Sequence, residues 1–184
     1  FEIKTFAVRL ADATVSEKSH QAVVELPYNK KITTFNGKRD EAVIPQINVS
    51  VPAEIFPATI ECSGVKFKTG EVGEAKADAL IAQGQTLSVY GKKLYFIGAS
   101  LKGDKTFDFK VGNETVSVSV QAIDERIGIW DLYDLKETAR IKTDKLAWEC
   151  THAHSVFEDI AAKQLCFFMY ELNIGDADTV TLPE

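Results

Sequence analysis

The sequence predicts a β-dominated α+β fold, an antiparallel β-sandwich or partly open barrel with two to three short helices, in a single β-rich domain over 1–184. Three observations predict it. Apolar and polar residues alternate through 85–123 with turn chemistry at every break; Pro45, Pro52 and Pro57 exclude a helix from the stretch before it; and only three short windows carry a helical period.

Taken in order, "FEIKTFAVRL", "QAVVELPY" and "KKITTF" are short β-type stretches, the last running into Asn36-Gly37, a strong turn signal because both residues tolerate positive φ. In "QINVSVPAEIFPATIECSGVKFKTG", Ile47, Val49 and Val51 alternate with polar neighbours, which predicts strands at edges or in meanders with proline guarding open ladders. "GEAKADALIAQGQ" changes the period. Ala77, Leu80 and Ile81 fall at helical spacing, Glu74, Lys76 and Asp78 fall outside, and Gly84 stands as a stop, so a short amphipathic helix is expected.

Residues 85–123 predict an antiparallel meander. Leu87 and Val89, then Phe107, Phe109 and Val111, then Val116, Val118 and Val120 alternate, with breaks at Gly91-Lys92, Lys102-Gly103-Asp104 and Gly112-Asn113. "DLYDLKETARI" then reads as a helix from about Asp134, and Ser155-Val156-Phe157-Glu158 as a capping box opening another that runs to about Lys163. "QLCFFMYELN" closes the chain as a strand buried on both faces or nearly so.

Composition narrows the function. A formal net charge of −6, from acids spread along the chain and no basic run longer than a pair, argues against a duplex-DNA binder. No apolar run approaches the roughly 18 residues of a membrane helix. Cys62, Cys150 and Cys166 are odd in number and widely spaced, so free buried thiols are expected, with a Cys150–Cys166 disulfide as the alternative. Free thiols favour a cytoplasmic or virion-associated location.

"CTHAH" at 150–154 gathers the densest chemistry. His152 and His154 at i and i+2 on a strand would share a face about 6.6 Å apart, a spacing metal sites use, while Cys150 would lie about 13 Å from His154 and could not join them. His152, His154 and Glu158 reproduce the H-x-H-x3-E core of the first motif of the cupins, and the resemblance implies a small β-barrel holding a divalent metal. It covers seven residues. No glycine flanks it, and no histidine follows among the last 26 residues to supply a second motif. The capping box places His154 just outside a helix and turns Glu158 onto its N-terminus, so no metal and no cofactor is expected, with His152, His154 and Glu158 as the alternative. A Cys150–His152 nucleophile pair would aim along one strand face instead of at each other.

Tyr95, Phe107 and Phe109 interleave with lysines that include Lys93 and Lys105, the ingredients of an OB-like platform for single-stranded nucleic acid. Phe107, Phe109 and Val111 at period two are more simply a core face. With no nucleotide-binding or nucleophile motif, a non-enzymatic assembly role is expected, through self-association or a structural protein partner, as in a phage or virus tail, baseplate or head-decoration component. Contacts are expected at Lys102, Gly103 and Asp104 and at Asn36 and Gly37.

Overall fold

The computed structural model describes residues 20–125 and 143–184; the stretch "FEIKTFAVRL" and the predicted helix from Asp134 lie outside these. The strands in order are Thr33–Thr34 (β1), Val51–Pro52 (β2), Thr59–Cys62 (β3), Val65–Lys68 (β4), Thr86–Ser88 (β5), Lys93–Gly98 (β6) and Lys105–Val111 (β7). They continue with Glu114–Val120 (β8), Lys145–Glu149 (β9), Ala153–His154 (β10), Asp159–Ile160 (β11), Cys166–Asn173 (β12) and Thr179–Thr181 (β13).

Two sheets form the sandwich, one ordered β6-β12-β9 and the other β5-β13-β7-β8; among the described residues neither closes into a barrel. Their inner faces share one core. Leu172 and Ile174 pack with Leu87, Val89, Phe109, Val111 and Val180, and the Phe96 ring lies 5.3 Å from that of Phe109 and 5.4 Å from that of Tyr170. Beyond it a second cluster of Ile32, Ile44, Val49, Val51, Cys150, Ala153 and Leu165 supports the short strands β1, β2 and β10. No helix among the described residues is long and apolar enough to cross a membrane.

Through 85–123 alternation placed the strands but not their partners, and "QAVVELPY" forms no strand. Of the predicted meander only β7 and β8 form a hairpin, through Gly112-Asn113 with Gly112 at φ 56°, the positive φ a two-residue loop needs at its first position. β6 instead pairs with β12, and β5 with β13, so Lys102-Gly103-Asp104 is a crossing between sheets and not a hairpin tip. β12 lies buried on its Cys166, Phe168, Tyr170 and Leu172 face and opens to solvent at Glu171 and Asn173 on the other. It does not close the chain. β13, which the sequence reading passed over, inserts between β5 and β7.

Neither predicted helix within the described residues forms; only the single 3₁₀ turns Arg39–Glu41 and Ala53–Ile55 occur. Residues 74–84 run irregularly because Asp78, expected to face water, is 3 % exposed. Its carboxylate accepts the backbone N–H of Ile32 at 2.7 Å, the N–H of Thr33 at 3.2 Å and the Thr33 hydroxyl. The backbone beside it exchanges bonds with Lys30, so its amides serve another strand and not a helical ladder. Asn36-Gly37 does form a turn, closed by Lys38 N–H to the Phe35 carbonyl at 2.9 Å, yet without positive φ. Ser63-Gly64 is the loop that uses it, at φ 52° and 79°, joining β3 to β4.

Candidate functional site

Ser155-Val156-Phe157-Glu158 is where local chemistry and tertiary structure diverge most. Ser155 Oγ accepts the N–H of Glu158 at 2.9 Å and of Phe157 at 3.2 Å, the bonds of a helix cap. The chain then reverses. Ser155 N–H donates to the Glu158 carbonyl at 2.9 Å, and β10 pairs with β11 so that His154 faces Asp159 and Ala153 faces Ile160. The predicted helix 155–163 is therefore a hairpin, because Ala153 is fully buried and its strand is held on the far side by Ser50, which exchanges two backbone bonds with His154. A helix would have to give up that ladder.

The tip presents apolar surface. Phe157 is 91 % exposed and Val156 44 %. Directly beside the hairpin is a shallow hollow of about 350 Å³, lined by Asp124, Ile160, Ala162, Lys163, Gln164 and Cys166.

The base gathers polar groups. His154, fully buried at its side chain, sets Nδ1 3.0 Å from Thr34 Oγ1, which lies 2.6 Å from Ser50 Oγ. A proton on Nδ1 satisfies the chain throughout, passing from His154 to Thr34, from Thr34 to Ser50, and from Ser50 to the His154 carbonyl at 3.5 Å. Nε2 then has no hydrogen-bond partner among the described residues and stands 3.4 Å from Asp159 Oδ1. Burial, and after it the Arg39 guanidinium, push the His154 imidazole below its ordinary pKa, so it is neutral at pH 7. The half-buried His152 ring lies 5.5 Å from that of His154, its Nδ1 3.0 Å from Thr151 Oγ1. Arg39 donates to Asp159 Oδ1 at 2.6 Å and to Asn36 Oδ1 at 2.5 Å.

The residues expected to matter are thus redistributed. His152 and His154 do come together, and the acid beside them is Asp159, set opposite His154 by cross-strand register, and not the Glu158 of the H-x-H-x3-E spacing. Asn36 adjoins the hairpin through Arg39, with Gly37 exposed next to it. Lys102, Gly103 and Asp104 are exposed elsewhere, and Asp104 accepts the Ala122 N–H at 2.9 Å, fixing the crossing between sheets. The aromatic platform does not assemble. Phe109 is buried and Phe107 packs against the same core beneath Lys105, whereas Tyr95 lies across from Glu171, which also pairs with Lys93 at 2.6 Å. All three cysteines are buried thiols; burial pushes the Cys150 thiol up, and its Sγ accepts the Leu165 N–H at 3.2 Å.

Two open sheets with a shared core and a stiff apolar-tipped hairpin at one end define a β-sandwich domain. The chain belongs to the family described as the AziU2-like beta-sandwich domain, which matches residues 20–184. No curated protein matches it.

Proposed function

We propose that this β-sandwich is a non-enzymatic assembly module that pairs with a second copy of itself, the Phe157 tip of one copy seating in the hollow beside Ile160 of the other. One observation carries the reading: a phenylalanine 91 % exposed on a loop that Ser155 holds in one shape. Knob and hollow lie within a few residues of each other, which suits a two-fold interface, where each contact occurs twice. Burying a phenylalanine contributes about 1.5–3 kcal/mol, and a pre-formed loop loses little further freedom on docking. The Cys150 thiol, protonated and enclosed, serves packing in this reading.

Light scattering over a concentration series tests it. The parent chain should approach twice the 20.3 kDa monomer mass at high concentration, while Phe157→Ser and Ala162→Arg stay monomeric with unchanged far-UV circular dichroism. Lys102→Glu should dimerise like the parent. A parent chain that stays monomeric throughout, or a Phe157→Ser chain that assembles normally, refutes the reading.

A further inference from the structure

We propose that His152, His154 and Asp159 form a binding site for a divalent transition-metal ion, zinc before others. Each side chain offers a donor atom, and the three atoms lie within 4.8 Å of one another. The 3.4 Å between His154 Nε2 and Asp159 Oδ1 matches the edge of about 3.3–3.5 Å that a tetrahedral zinc with bonds near 2.0–2.1 Å requires.

A second, independent feature points to a ligand. His154 Nε2 is buried, has no hydrogen-bond partner among the described residues and stands beside a carboxylate oxygen. With the proton held on Nδ1 by Thr34, a lone pair faces an anionic oxygen, an arrangement that a cation between them would complete. His152 is arranged alike, its Nδ1 against the Thr151 hydroxyl, which leaves Nε2 as the outer nitrogen. Hydroxyl partners on the far nitrogen of ligating histidines fix tautomer and ring plane, and here both rings have one.

The scaffold is stiff where it needs to be. His154 and Asp159 are directly opposed across the hairpin, and Ser50 clamps β10 from the other side. Asp159 is exposed and His152 half-buried, so the ion reaches the site from solvent and keeps a coordination position for water. Arg39 is the counter-ion of Asp159. Its guanidinium occupies Asp159 Oδ1, and it must cede that oxygen as the metal binds. Metal and arginine therefore compete for one carboxylate.

The test uses the full chain bearing Phe157→Ser, so that self-association cannot affect the result and either reading can fail alone. Chain stripped with chelator is titrated with zinc chloride by calorimetry and with cobalt chloride by visible absorption. One ion per chain, with the intense d–d bands of tetrahedral cobalt, is expected. His152→Ala and Asp159→Asn, both at accessible positions, should weaken binding at least tenfold. Glu158→Gln should bind like the parent, and Arg39→Gln more tightly. A melting temperature that climbs with zinc only in chains keeping the three ligands gives a second readout. Absence of stoichiometric uptake overturns the proposal, as does unchanged affinity in His152→Ala and Asp159→Asn.

Discussion

Asp78→Asn isolates one carboxylate whose contribution can be worked out bond by bond. The side chains are nearly isosteric, so packing is conserved. Oδ1 keeps the Ile32 N–H bond at 2.7 Å as an amide oxygen, while the position of Oδ2, 3.2 Å from Thr33 N, becomes an NH₂ that donates instead of accepting. The Thr33 hydroxyl can rotate to receive it. The Thr33 N–H cannot, and a buried amide left without an acceptor costs about 1–3 kcal/mol, to which the loss of charge on the surviving bond adds about 1 kcal/mol. The sum is about 2–4 kcal/mol, or roughly 4–16 °C in melting temperature for a chain of this size. Urea unfolding followed by tryptophan fluorescence measures it as a shift in midpoint at constant slope. A variant within about 0.5 kcal/mol of the parent would refute the claim that Asp78 organises β1, since a surface aspartate is worth no more than that. Thr33→Val in a double-mutant cycle should couple to it, the two effects summing to more than the pair.

Other consequences can be read the same way. At Gly70 a Cβ would collide with the Asp78 backbone carbonyl, so Gly70→Ala should destabilise by about 1–3 kcal/mol in thermal melts, and less than additively with Asp78→Asn. The Tyr170 hydroxyl accepts the Gln121 N–H at 2.9 Å and donates to Asp144 Oδ2 at 2.8 Å, and burial followed by Asp144 holds the phenol far above its usual pKa. The folded phenol keeps its proton where the unfolded one, titrating near about 10, has lost it; stability is full below that pH and declines as pH rises beyond it. Tyr170→Phe should flatten that alkaline decline in denaturant titrations and cost about 1–3 kcal/mol at neutral pH.

What the sequence makes legible is local. Period-two alternation locates β7 and β8 because one face of each is buried, and it assigns the β-rich class; β12 is legible as an apolar run, which hides that its Glu171 and Asn173 face is open. Pairing is a different matter: β6 looks as ready to join β7 as β12, and only the shared core of Phe96, Phe109 and Tyr170 decides. The helix expected at 74–84 fails because a helical period in charge and apolarity says nothing about Asp78 reaching the amides of β1, more than forty positions earlier. At the candidate site Ser155 makes its expected cap bonds, yet those bonds fit a tight hairpin loop equally well. The H-x-H-x3-E spacing names Glu158; the hairpin register, with Ala153 buried and Ser50 as a clamp, places Asp159 opposite His154. An alternation test on 153–154 against 159–160 around a four-residue loop is the signal that would have found it.

β12 is the middle strand of its sheet, and β13 is an interior strand of the other. Both come from residues 166–181, so the earlier strands β5 to β8 leave the ribosome before either partner exists. At about 5–20 residues per second, the nascent chain spends several seconds with the edges of β6 and β7 bare. Neither layer can be completed before residues 166–181 have been made. Closure is therefore late and concerted, over long sequence separations, and slow by the ordinary dependence of rate on topology. During that interval the open edges of β6 and β7 are exposed to mispairing.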